Sequence, residues 1–209
     1  MISIVITTYG EDAWRTMVET RAYPSAMRQG ASEVVLHHEP NLTIGPARNA
    51  AAQKTKHGSR WLLFLDADDE LVDGYVTAML DAIMLAPGDP KRMLFQPTVR
   101  YVRKGVPQPD MMLGPKDLRH DNYLVIGTVI HSDLFHEVGG FNDYEHGFED
   151  WSLWAKAWKA GATIIQVPEA VYVAHVNPRS QHRQMWRNRK AQVAMHLQVQ
   201  AELFPEGIA

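Results

Sequence analysis

Short apolar runs alternate with segments of helical spacing along the first third of this chain. Ile2–Thr7 is a β-branched run ending at Thr8-Tyr9-Gly10 and reads as a first buried strand, Glu33–His38 reads as a second strand, and Trp61–Leu65 is a short, continuous apolar run. A run of that kind suits a strand buried on both faces, as in a parallel sheet. Between them, residues 11–29 carry Trp14, Met17, Val18, Ala22 and Met27 at loosely helical spacing, and Gly30 closes the segment. Pro40, Asn41, Thr43 and Gly45-Pro46 predict a turn, Ala47–Lys56 an alanine-rich helix, and Gly58 its end. The resulting β-α-β-α-β order is the start of a doubly wound α/β sheet.

The strongest helical pattern follows. Leu71, Val72, Tyr75, Val76, Met79, Leu80, Ile83 and Met84 recur at i, i+3, i+4 spacing until Pro87-Gly88. Residues 92–103 read as a strand interrupted at Pro97, and residues 106–116 as a loop or irregular hairpin. Tyr123–Ile130 reads as a strand, Ser132–Val138 as a short helix, and Gly139-Gly140 as a turn. Phe148–Ala160 predicts a helix with Trp151, Trp154 and Trp158 on one core-facing stripe. Thr163–Val167 and Ala170–Ala174 read as two closing strands around Pro168. A terminal helix over Ser180–Phe204 carries Trp186, Val193, Leu197 and Phe204 on one side. With no internal repeat or linker, the 209 residues read as one domain.

Composition narrows the function classes. A net charge of -3 gives no global case for nucleic-acid or membrane-surface binding. The absence of cysteine excludes disulfides and thiolate chemistry, so a metal would be held by His and carboxylates. No apolar run approaches the ~20 residues of a membrane span, and no basic leader opens the chain. The expected setting is cytoplasmic.

The chemistry concentrates where Trp61–Leu65 gives way to Asp66, Asp68, Asp69 and Glu70. In an extended chain Asp66 and Asp68 point to the same side, beyond the carboxyl end of a central strand where open α/β sheets bind ligands. Two hard oxygen donors beside a crevice suit Mg2+ or Mn2+, which leaves other positions to substrate phosphates. The plainer alternative is that Asp68 or Asp69 caps the next helix.

Together, SIVITTYG, GPARNAA, WLLFLDADD, HEVGGFND, GFEDWSLWAKA and the later His175 resemble the family 2 glycosyltransferases, in that family's order from Ser3 to about His175. The resemblance implies a GT-A fold: a Rossmann-like, doubly wound, mostly parallel central sheet flanked by helices, with a small acceptor-side subregion and a C-terminal helix. Residues 1–91 would be the nucleotide-binding half, 92–176 the acceptor half, and 177–209 a basic arm and helix. It implies a metal-dependent transfer, with inversion, from a nucleoside diphosphate sugar, UDP favoured, to an acceptor hydroxyl. The acceptor class (glycan, protein, lipid or small molecule) stays open. Carried over by position, Asp68 and His175 are metal ligands for Mn2+ or Mg2+, and Asp66 lies near the ribose or nucleotide. Thr8, Tyr9, Arg48 and Asn49 sit at the nucleotide, although Thr7 stands where the family has Pro. Glu39 is the candidate partner of uracil, although His37-His38-Glu39 departs from the family's acidic strand end. Glu149 and Asp150 match the acceptor-side acidic pair, with Asp150 the general base. Asp69 either assists one of the roles of Asp66 and Asp68 or caps the following helix, capping being the expectation.

Arg179, His182, Arg183, Arg187, Arg189 and Lys190 form a basic arm, either a solvated face or a closure over diphosphate or another anion. Rival readings are a metal-dependent phosphatase or phosphotransferase with Asp66 as nucleophile, a nucleotidyltransferase, and a degenerate sugar-nucleotide-binding or assembly module. The first lacks a first-strand motif and the second a Gly-rich phosphate loop. A zinc peptidase is excluded, because Gly140 stands where the pattern begun by His136-Glu137 needs a second His.

Overall fold

A computed structural model describes residues 1–10, 13–56, 60–144, 147–176 and 189–207. One eight-stranded sheet organises them. Its strands are β1 (Ile2–Tyr9), β2 (Glu33–Glu39), β3 (Trp61–Asp66), β4 (Glu70–Leu71), β5 (Met93–Arg103), β6 (Val106–Pro107), β7 (Val129–His131) and β8 (Thr163–His175). The order is β2-β1-β3-β7-β5-β8-β4, with β6 paired to β5. The long pairings β1–β2, β1–β3 and β5–β8 are parallel, whereas the shorter pairings that join and extend them are antiparallel.

Helices α1 (Ala13–Thr20), α2 (Ala22–Met27), α3 (Ile44–Ala52), α4 (Tyr75–Met84), α5 (Ser132–Glu137), α6 (Glu149–Lys159) and α7 (Arg189–Leu203) flank it. β1 and β3 are nearly all buried, as two-sided coverage requires: Ile4, Ile6 and Leu63 are fully inaccessible.

Local chemistry explains where the elements depart from the sequence pattern. The helical stretch after β1 is two helices, because Pro24 would oppose the carbonyl of Thr20 and α1 ends at that residue. Gly45-Pro46 lies inside the first turn of α3 rather than before it, where the missing proline N–H costs nothing. Gly45 is required there, since a Cβ would overlap the Asn142 carbonyl. Glu70 and Leu71 pair with β8, so α4 begins only at Tyr75, behind left-handed Gly74. Pro97 and Pro168 do not break two strands into four. Both fall at one irregularity, where the β5–β8 register jumps from Pro97↔Val167 to Thr98↔Val171.

The expected strand over Tyr123–Ile130 shrinks to β7, and the residues before it form a buried irregular segment. Trp151 and Trp154 are buried, but Trp158 is 37% exposed and meets Phe204 edge-on. On α7 the buried side is Val199 and Leu203, followed by Phe204, while Val193 and Leu197 face outward. Gly58, the expected helix start at Ser180, Trp186, and the basic arm's Arg179, His182, Arg183 and Arg187 lie outside the described residues. Among the described residues, no helix is long and apolar enough to cross a membrane.

Candidate active site

β1 and β3 run in parallel register with Thr7 opposite Asp66, which brings their carboxyl ends to one place. A cavity of about 670 Å³ opens there. Thr8, Tyr9, Arg48, Asp66 and Asp68 line one part, and Asn122, Phe148, Glu149 and Asp150 another. Seven of the ten residues expected at the site therefore share one wall system. The route differs from the extended chain expected: β3 ends at Asp66, and a turn closed by the Asp69 N–H on the Asp66 carbonyl (3.1 Å) delivers Asp68 to the cavity.

Arg48 joins the two parts. Its guanidinium is buried, donates from one nitrogen to Glu149 Oε1 at 2.6 Å and from another to Asp66 Oδ1, and lies over the Phe141 ring. Burial opposes its charge, but Asp66 and Glu149 together hold its pKa above the ordinary value. Removing either carboxylate would leave a buried charge under-compensated. Tyr9 lies near the same charges, and burial is the main reason its phenol is pushed up to about 12.

On the other side, α6 opens with Glu149 and Asp150, behind Phe148 in the left-handed region (φ 71°). A bulky residue with positive φ is uncommon, and it sits here directly beside the two acids. Asp150 Oδ1 accepts from the Trp151 N–H at 2.7 Å, and Oδ2 from Asn122 Nδ2 at 3.0 Å. Burial, followed by the charge of Glu149, pushes the Asp150 carboxyl up to about 7, against the opposing pull of the Trp151 N–H and Arg48. A carboxylate in that range takes up a proton near neutral pH without being a weak base.

Three expected residues are placed elsewhere. Asn49 makes a reciprocal pair with the Phe141 backbone, Nδ2 to O at 2.8 Å and N–H to Oδ1 at 2.9 Å, and so fastens the Gly139–Phe141 turn to α3. Glu39 holds the His37 ring at 2.8 Å, while His38 Nδ1 meets Thr8 Oγ1 at 2.8 Å. His175 Nε2 lies 2.7 Å from Glu70 Oε1. None of the three is among the cavity's lining residues.

Asp69 caps no helix, contrary to expectation. It is 8% exposed and accepts from the Tyr172 hydroxyl at 2.8 Å and the His175 N–H at 2.7 Å. Its carboxyl is pushed well above the usual range by burial and then by Asp68 and Asp66. Asp69 thus ties the acidic turn to β8. Sequence pattern could not show this, because the partners are more than 100 positions away. Asn122, Gln192 and His196 also line the cavity. Asn122 sits in a stretch without periodicity and carries no signal of its own.

For a divalent cation, no group of three or more His, Asp or Glu side chains suited to holding a metal occurs among the described residues. Asp66 and Asp68 instead offer one or two hard oxygens at an open cavity. That donor set fits an ion that takes few protein ligands and fills its shell with diphosphate oxygens and water.

The backbone arrangement has solved counterparts. Staphylococcus aureus TarS in complex with UDP-GlcNAc is similar with a TM-score of 0.67 at 15% identity, over 97% of this chain and 71% of that one. A longer TarS structure gives 0.61 at 16% identity, and the 97% of this chain that matches covers only 42% of it. GalNAc-T7 with UDP, GalNAc and Mn2+ gives 0.63 at 16% identity, over 85% of this chain and 44% of that one. This is the GT-A fold. No family profile matches the chain, and no curated protein matches it in sequence.

Proposed function

We propose that this chain is a family 2 glycosyltransferase that moves a sugar from a nucleoside diphosphate sugar, UDP favoured, to an acceptor hydroxyl with inversion. The observation that carries the reading is that Asp66, Asp68, Glu149 and Asp150 line one cavity, with buried Arg48 bridging Asp66 and Glu149. The similar structures that hold UDP-GlcNAc, or UDP and Mn2+, support it at the level of the fold. In this reading residues 1–91 bind the donor and residues 92–176 receive the acceptor.

Each residue then has a task. Thr8 and Tyr9 bound the nucleotide at the end of β1, and Arg48 fixes Asp66 toward it. Asp68 would hold Mn2+ or Mg2+, and His175 could join only by turning its ring away from Glu70. When bound, the ion supplies Lewis-acid neutralisation of the departing diphosphate, worth several kcal/mol. Asp150, ionised above about pH 7, takes the acceptor hydroxyl proton as that oxygen attacks the anomeric carbon opposite the leaving group. Such assistance contributes about 100- to 10,000-fold.

The test is calorimetric titration of UDP and of GDP, each with Mn2+ and with EDTA. Metal-dependent binding of UDP is the expected result. No binding of either nucleotide to the folded protein would overturn the reading and favour a degenerate module.

A further inference from the structure

The segment between β6 and β7 carries no regular structure along residues 112–128, yet it is fixed at several points from different elements. Gln96 of β5 donates to the Leu113 carbonyl at 3.0 Å. Trp151 of α6 donates its indole N–H to the Leu118 carbonyl at 2.8 Å. Gln200 of α7 donates to the Arg119 carbonyl at 2.8 Å. A loop pinned this way holds its side chains as a helix would. Asn122 lies in the pinned stretch, and its orientation is set: the Leu124 N–H donates to its Oδ1 at 2.9 Å. That leaves its NH2 end to point at Asp150 Oδ2, 3.0 Å away. The neighbouring Tyr123, Leu124, Val125 and Ile126 line the same cavity.

We propose that Asn122 is a positioning residue for the general base, its amide holding the Asp150 carboxylate in one orientation and anchoring the acceptor-side wall to it. This rests on the reading of Asp150 as base. The physical argument is one of opposing pulls. Burial and Glu149 both favour the protonated carboxyl. Two N–H donors, from Trp151 and Asn122, favour the carboxylate, and each occupies one oxygen. The charged groups facing Asp150 are Glu149 beside it on α6, Arg48 from α3 and Asp66 from β3, while His196 of α7 stacks on the adjoining Trp151 ring at 4.7 Å. Arg48 is already shared between Glu149 and Asp66. The Asn122 amide is therefore the side-chain donor given to Asp150 itself. Loss of a hydrogen bond to a charged group of this kind corresponds to about one to two pH units in the carboxyl's midpoint.

The experiment uses the full chain labelled with 13C at aspartate carboxyls, the Asp150 resonance being identified by its loss in Asp150→Asn. Its titration midpoint is followed in wild type, Asn122→Ala and Asn122→Ser. The second variant keeps a side-chain oxygen able to accept the Leu124 N–H but is too short to donate to Asp150 and adds no charge, so it separates loss of the donor from loss of the loop's fold. In parallel, UDP release from UDP-GlcNAc with Mn2+ is measured against pH. The expected result is a midpoint raised by about one unit or more in both variants, with the acid limb of kcat moving alongside and KM for UDP-GlcNAc unchanged. An unmoved midpoint in folded Asn122→Ser would overturn the inference and leave Asp150 free to be the base. A raised midpoint with UDP release indifferent to Asp150→Asn would overturn it from the other side, through failure of the base itself.

Discussion

Arg48 and Glu149 are 101 positions apart, and the buried guanidinium of the first donates to the carboxylate of the second at 2.6 Å. The same guanidinium binds Asp66 at the end of β3. One cation thus sets the distance between the strand that would hold the donor and the helix that would receive the acceptor. Its substitution should therefore affect stability and nucleotide binding together. Arg48→Ala leaves Glu149 buried without its partner, and denaturant unfolding should show a loss of about 3–5 kcal/mol. Arg48→Lys retains charge but reaches only one carboxylate, and should fall between that variant and wild type.

Asp68→Ala should abolish metal-dependent nucleotide binding while leaving the unfolding midpoint within about 0.5 kcal/mol of wild type, because the site is at an open cavity rather than in the core. Calorimetry of UDP in Mn2+ checks this. Unchanged affinity would remove Asp68 from the metal site.

Asp150→Asn should keep nucleotide binding and lose transfer by about 100- to 10,000-fold. It also makes a stability prediction with a definite sign. The folded carboxyl is raised to about 7, so Asp150 stabilises the fold fully below its unfolded pKa and loses that contribution as pH rises toward and through 7. Asp150→Asn should escape the loss. Its unfolding free energy should gain on wild type between pH 4 and pH 8, by an amount of order 2 kcal/mol once solvent in the cavity is allowed for.

Tyr172→Phe tests the tie between the acidic turn and β8. The Asp69 oxygen that accepts the Tyr172 hydroxyl lies in a buried site, and its loss should cost about 1–3 kcal/mol in chemical denaturation. Because the same carboxyl sits beside Asp68, metal-dependent UDP affinity should fall in parallel.

Gly45→Ala probes the contact between α3 and the Phe141-Asn142 segment. The added Cβ overlaps the Asn142 backbone carbonyl, which has no flexible end to move aside. A loss of about 1–3 kcal/mol is expected, read from the shift of the urea midpoint.

Local pattern was sufficient for the three parallel strands on one side of the sheet. Ile2–Thr7, Glu33–His38 and Trp61–Leu65 are each strands within one or two residues of the expected span, and β1 and β3 carry their burial in composition, whereas β2 lies at the sheet's edge with Leu36 49% exposed. The acidic end of β3 and the two acids opening α6 were legible for a related reason: each sits at the boundary of a regular element, and such boundaries mark themselves in sequence. The order of these pieces implied a doubly wound sheet, and their resemblance to a known family implied its GT-A form.

Tertiary contact decided the rest. Leu71 has helical spacing with Tyr75, but pairing with Tyr172 on β8 makes it a strand residue, because a ladder partner satisfies its backbone before a helix can. Asp69 has the sequence of a cap and the position of a tether. Asn49 and Arg48 are adjacent in an alanine-rich helix, and only the packing of α3 against α6 and the Phe141 turn sends one to a backbone clip and the other to the carboxylates. Asn122 sits in a stretch with no period to read. Its place beside Asp150 is fixed by hydrogen bonds from β5, α6 and α7, which the order of residues 112–128 does not encode and the assembled fold does.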